Sequence, residues 1–272
     1  MNFQALLASW PLEPSILVGI AATGLLYWWG LRYARAHGMA RYHRWWHSLA
    51  FAGGLLTILA AIESPLDTFA DQLFWAHMVQ HELLVLVAAP LLLLGAPSML
   101  FWRAVPVGAR RATLRWGFRR GWPLRGLEWL AHALTTPRVA WTIFVVVFLG
   151  WHLPGLYDMA LRYPVVHIME HICFLAAALL FWAPVIPSPP LRRRMGYIAQ
   201  ALYLGLGTVV MNGLAALYMY STHPLYPFYV AAEGSTQALV DQHLAGGVMD
   251  VPGTILFFSA ICGLLVLWLR ED

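Results

Sequence analysis

Two histidine pairs with the same spacing are the residues of this chain best suited to chemistry. His77 and His81 lie four residues apart, and His167 and His171 repeat the spacing. Residues four apart on an α-helix share one face, so each pair could present two imidazoles to a single ion. Imidazole suits copper, zinc, iron and nickel. The spacing therefore predicts a metal site between two helices, with up to four imidazole ligands.

Further polar residues accompany the pairs. His152, at the end of another apolar stretch, is a candidate fifth metal ligand. Glu82 and Glu170 each adjoin a histidine, and neighbours on a helix point about 100° apart, so we expect them to orient the ligand rings or relay protons. Asp241 and His243 point about 200° apart and cannot both face one site. We expect Asp241 to face inward, because a carboxylate in lipid is costly, and His243 to be an additional ligand or to have no role.

The elements that must position these residues are membrane helices. Hydrophobic residues make up 60% of the 272 positions and charged residues 11%, against roughly a quarter in soluble proteins. Seven apolar stretches have a length near the roughly 17–25 residues that cross a bilayer. The sequence thus predicts an all-α, polytopic membrane helix bundle, a single domain over residues 1–272. The predicted spans lie near 14–33, 46–62, 72–95, 138–153, 165–184, 197–220 and 237–269.

The arginines indicate how this bundle is oriented. With seven spans, the loops within 32–44, 103–125 and 192–194 fall on one side together with Arg270, while Arg162 is on the other. Basic residues favour the cytoplasmic side, so we expect the N-terminus outside and the C-terminus in the cytoplasm. We interpret the net charge of +4 as this topology signal rather than as a nucleic-acid surface.

The orientation also assigns a depth to the polar residues. Both histidine pairs, His152 and Asp241 then lie at one level, in the outer third of the bilayer. Ionisable groups inside a membrane are costly and usually mark function. The alternative is a hydrogen-bonded cluster that fixes helix packing, and two matched pairs at one depth favour the metal site over it.

Several motifs, in this order along the chain, resemble the CtaG family of cytochrome c oxidase assembly factors. The match covers most of the chain from the second predicted span onward. The motifs are Ser64-Pro65-Leu66-Asp67, His77-Met78-Val79-Gln80-His81, Trp151-His152-Leu153-Pro154, Val166-His167 with Glu170-His171, Asp241-Gln242, and Val251-Pro252-Gly253.

The resemblance implies a multi-pass protein of the bacterial plasma (inner) membrane that helps to build haem–copper oxidases. It implies copper as the bound metal, supplied to the oxidase's copper centre near the outer side of the membrane. The expected partners are the oxidase subunit that carries this centre, another copper chaperone and the lipid bilayer, without nucleic acid. His77, His81, His152, His167, His171 and Asp241 are the positions that match the family's polar motifs.

Two other functions remain open. His167-Ile168-Met169-Glu170-His171 fits the H-x-x-E-H pattern of inverted zinc proteases, in which the glutamate activates a metal-bound water. An intramembrane zinc metallo-hydrolase is therefore the main alternative. A haem-binding electron carrier would need axial ligands from two helices at matched depth. We expect a protein that is not an enzyme and that binds copper.

Overall fold

The computed structural model describes residues 10, 12–39, 43–120, 123–186, 188 and 194–271, and every regular element within them is a helix. Six helices are long and apolar enough to cross a membrane, or seven if one bent pair counts as a single span. These helices are α1 (Pro14–Ala36), α2 (Trp45–Ile62), α3 (Phe74–Leu94), the bent pair α4 (Pro137–Trp151) and α5 (Pro154–Arg162), α6 (Pro164–Trp182), α7 (Tyr197–Tyr220) and α8 (Ser235–Trp268).

Short helices connect these segments. They are Pro65–Ala70 before α3, the three successive helices Pro97–Ala104, Val107–Arg120 and Pro123–Leu134 between α3 and α4, and Pro227–Glu233 before α8. The helical fold class is thus confirmed for the described residues, and the apolar helices indicate a multi-pass membrane protein. The orientation of the termini and the single domain stay predictions. Of the arginines used for orientation, Arg41, Arg192 and Arg193 lie outside the described residues.

The predicted span 138–153 corresponds closely to α4, which is long enough to cross a membrane only together with α5. Helix α4 has 15 residues, ends at Trp151 and meets α5 at an angle of 70°. The cause is Pro154, which disfavours helical geometry at the residue before it and begins a new helix. His152, expected at the end of this span, lies at the bend between the two helices.

Helix α3 runs through the centre of the bundle and is the most buried of the spanning helices. It is α-helical over Phe74–Glu82, π-helical over Leu83–Ala88, and α-helical again over Ala89–Leu94. The π segment is held to α6 by the indole Nε1 of Trp182, which donates to the carbonyl of Val85 at 2.9 Å. A π segment has a wider turn and often occurs at functional sites.

Helices α7 and α8 pack closely along their length. A Cβ atom on Gly246 would lie 2.7 Å from the Ala215 carbonyl oxygen, so this contact requires a glycine. Aromatic side chains fill the space between these helices and α3. Phe74, the first residue of α3, contacts the rings of Tyr157, Tyr218, Tyr226 and Tyr229. The start of α3, which carries the first histidine pair, is therefore enclosed by packed rings.

Candidate metal centre

The first histidine pair faces a carboxylate of another helix. His77 Nε2 lies 3.0 Å from His81 Nε2 and 3.3 Å from Glu170 Oε2, and His81 Nε2 lies 3.7 Å from Glu170 Oε1. For metal–ligand bonds of about 2.0 Å, neighbouring ligands of a tetrahedral ion are separated by roughly 3.3 Å. All three side chains are buried. Their spacing is already close to that of three ligands around one ion.

The second pair approaches the same histidine. His77, His167 and His171 offer ligand atoms that all lie within 4.8 Å of one another, as do those of His77, His81 and Glu170. The rings of His167 and His171 are centred 4.3 Å apart, and the His167 ring is centred 5.1 Å from that of His77. The two predicted pairs therefore meet in one cluster, with His77 common to both sets.

His152 completes the cluster at the bend between α4 and α5. Its ring is centred 5.7 Å from that of His81. Its Nδ1 lies 2.6 Å from the carbonyl oxygen of Phe148, which accepts only, so Nδ1 carries the proton. Nε2 then has a free lone pair, and this is the tautomer that a metal-binding imidazole needs.

The cluster contains many buried polar atoms without a hydrogen-bond partner. Buried polar groups are normally paired, so a concentration of unpaired groups at one place indicates that they bind a partner from outside the chain. Because these atoms are imidazole nitrogens and carboxylate oxygens, a metal ion fits them. They are His77 Nδ1, His81 Nδ1, His152 Nε2, His167 Nε2, His171 Nε2, and Oε1 and Oε2 of Glu170.

Glu170 lies closer to the possible ligands than its position beside His171 suggests. The angle of about 100° between neighbours on a helix turns Glu170 away only from His171, which lies on the same helix. Across the interface with α3, however, the same carboxylate faces His77 and His81. Glu170 thus belongs with the candidate ligands, while Glu82 does not. Glu82 Oε2 points toward α8, 3.8 Å from where a Cβ atom on Gly253 would lie.

Asp241 faces inward, where it caps the helix that carries the first pair. Its Oδ2 accepts the Phe74 backbone N–H at 2.6 Å, and its Oδ1 accepts the Trp75 N–H at 3.2 Å. The first N–H groups of a helix lack internal partners, and Leu73 provides no side-chain cap. Asp241 thus positions His77 through the backbone. His243 points elsewhere, with Nε2 3.0 Å from the Ser221 carbonyl oxygen.

Sequence reasoning missed a second support of the first pair. Gln80, between the two histidines, is fully buried and donates to the Ala61 carbonyl at 2.8 Å and to Asp67 Oδ1 at 2.7 Å. An amide in the middle of an apolar helix was the available signal. Burial raises the pKa of Asp67 to about 6; the hydrogen bond from Gln80 opposes this shift, and the charge of Asp71 adds to it.

Comparison with known proteins identifies the family of the chain. The model of the cytochrome c oxidase caa3 assembly factor family (Caa3_CtaG) matches residues 3–271. The chain belongs to this family. It is also similar to uncharacterized proteins of Mycobacterium bovis and Mycobacterium tuberculosis, each 28% identical over 239 residues, and of Mycobacterium leprae, 26% identical over 236 residues.

In each of these three relatives the match covers 82% of this chain and 34% of the relative. The chain thus spans about a third of the length of the curated relatives that it matches. No solved structure matches the chain.

Proposed function

We propose that this assembly factor binds copper in the outer half of the membrane and supports its delivery to the copper centre of cytochrome c oxidase. The observation that carries the proposal is the cluster of five histidines and Glu170, in which one buried ring nitrogen of each histidine and both carboxylate oxygens lack a hydrogen-bond partner. Membership of an oxidase assembly family supplies the biological context. Copper is here the cargo of the protein.

The donor set supports copper as that cargo. Copper(I) is satisfied by two or three neutral ligands, which imidazoles provide without adding charge to the membrane interior. The cluster offers more imidazoles than one such ion needs. Ligands in excess allow stepwise exchange, as release to a partner requires. Zinc is the alternative metal, since it accepts the same donors.

The position of the cluster supports delivery at the outer surface. His77 and His167 both lie in the first turn of their helices, α3 and α6. By the arginine pattern these helices enter from the outside. In this proposal the protein resides in the bacterial plasma membrane and passes copper to the oxidase subunit that carries the copper centre, after receiving it from another copper chaperone.

An intramembrane zinc hydrolase is a second candidate that one observation favours. His167 and His171 of the H-x-x-E-H motif obtain a third imidazole from His77, and Glu170 of the same motif lies beside them. The burial of His77 and Glu170 favours a bound ion over a site open to a substrate. A haem site has less support, because the rings of His77 and His167 on the two helices are centred 5.1 Å apart, which leaves no room for a macrocycle between them.

The proposal is tested in cells that lack the gene and produce a variant instead. We expect the wild-type chain to restore the copper content and activity of the oxidase, and His77→Phe/His81→Phe to leave the oxidase with less than about a tenth of its copper. His243→Ala is the matched control, since His243 lies outside the cluster. Full oxidase copper with the double variant at normal protein levels would contradict the proposal. Zinc-dependent hydrolysis by the purified protein would favour the alternative.

A further inference from the structure

The cluster contains two overlapping ligand sets that differ in access and in charge. The first set, His77, His167 and His171, includes one partly exposed member, His167; the second, His77, His81 and Glu170, is buried throughout. We call them the accessible position and the buried position. A single ion cannot be bound by all of these ligands at once, because three or four donors complete its coordination.

We propose that one copper ion occupies either of two positions in turn and moves between them while it stays bound to His77. This inference rests on the proposed function, since it describes how the same site loads and releases its cargo. At the accessible position the ion would be held by three neutral imidazoles. At the buried position His81 and Glu170 would replace His167 and His171.

The burial of the ligands assigns the direction of movement. His167 is the ligand that is partly exposed at the surface, whereas His77 and Glu170 are fully buried. An incoming or departing ion therefore contacts the accessible position first. The buried position retains the ion, because its donors are enclosed by α3, α6 and the packed rings around Phe74.

Charge explains why the two positions differ chemically. Three imidazoles leave copper(I) with its single positive charge, and they match its preference for neutral ligands. The carboxylate of Glu170 at the buried position instead offsets that charge, so that copper(I) held there would carry no net charge together with its ligands. Two ions bound at once would share His77 and repel each other at low dielectric, so single occupancy is expected.

The ligand that both positions share makes the inference testable. We would purify the full chain and the variants His77→Phe, His81→Phe and His167→Phe in detergent, and titrate each with copper(I) against a chromogenic chelator. The phenylalanine variants keep the ring volume, and His243→Ala serves as the control. We expect about one copper per chain in the wild type, a loss of at least about tenfold in affinity for His77→Phe, and retention of near-stoichiometric binding in the other two single variants.

Release rates separate the two positions further. Transfer to excess chelator should slow about tenfold in His167→Phe, which lacks the accessible position, and should quicken in His81→Phe, which lacks the buried one. The double variant His81→Phe/His167→Phe should bind as poorly as His77→Phe. If either single variant loses as much affinity as His77→Phe, or if the wild type binds two ions, the two-position scheme is wrong. If the wild type binds no copper, the proposed function itself fails.

A spectroscopic measurement keeps the test independent of the ring substitutions. Glu170→Gln is nearly isosteric and removes only the charge. In copper(II)-loaded wild-type protein, electron paramagnetic resonance should show two nitrogen donors with oxygen, and Glu170→Gln should change this pattern to three nitrogens as the ion moves to the accessible position. An identical spectrum in both proteins would overturn the assignment of Glu170 to the buried position.

Discussion

Substitution of Asp241 by alanine should weaken both the fold and copper binding. Asp241 lies on α8, yet its two carboxylate oxygens accept the Phe74 and Trp75 N–H groups at 2.6 and 3.2 Å, at the start of α3. In Asp241→Ala these buried and part-buried N–H groups lose their acceptors. A buried unsatisfied donor costs about 1–3 kcal/mol, so the pair should cost about 3 kcal/mol.

The effect is measurable as a thermal shift. At roughly 2–4 °C per kcal/mol, the unfolding midpoint in detergent should fall by about 6–12 °C. Copper affinity should fall about tenfold as well, because His77 lies one turn beyond the capped residues and depends on their position. Intrinsic tryptophan fluorescence would follow unfolding, and chelator competition would follow copper.

The control for this prediction is His243→Ala, two residues away on the same helix, where the ring contacts the Ser221 carbonyl. We expect this change to lower the midpoint by less than about 3 °C, as for loss of one ordinary hydrogen bond. A midpoint for Asp241→Ala equal to that of the control, with unchanged copper affinity, would refute the capping argument.

Three further predictions concern other parts of the molecule. Gly30→Ala should destabilise the fold by more than about 2 kcal/mol, because the new Cβ atom would overlap the Leu100 carbonyl oxygen. In Gly19→Ala the new Cβ atom meets nothing within 4 Å, so this change should stabilise the fold by up to about 1 kcal/mol, and thermal unfolding of both variants checks the pair. Trp182→Phe should cost about 1–2 kcal/mol by removing the N–H donor to Val85 in the π segment, and amide exchange there should quicken. Asp67 has a pKa of about 6 in the fold against 3.8 ordinarily, so its ionised form is disfavoured there, and stability should decrease as the pH rises from about 4 to 6 and then level off. Asp67→Asn should reduce this slope, and an unchanged slope would contradict the assignment.

The sequence predicted the helices well because each needed only local information. Apolar runs of membrane length located the spanning helices, and the spacing of His77, His81, His167 and His171 placed each pair on one face. The end of the span 138–153 before Pro154 was predicted as well. What the sequence did not predict is the separate helix α5, which Pro154 starts at an angle of 70° to α4.

The contacts between helices could not be derived from the sequence. Angles along α6 separate Glu170 from His171, but they do not say which residues of α3 the carboxylate will face. Asp241 was expected to point inward, yet its role as a cap depends on where α8 crosses the start of α3. The π segment depends in the same way on contacts such as the one between Trp182 and Val85.

Metal content tests the central claim most directly. Elemental analysis of the detergent-purified chain, after copper loading and removal of excess ion, should give about one copper per chain in the wild type. It should give less than about a tenth of that in His77→Ala/His81→Ala, which removes the ligand common to both sets, and an unchanged value in His243→Ala. Wild-type protein that holds no copper even after loading would contradict the account, and the histidines would then form a packing cluster instead.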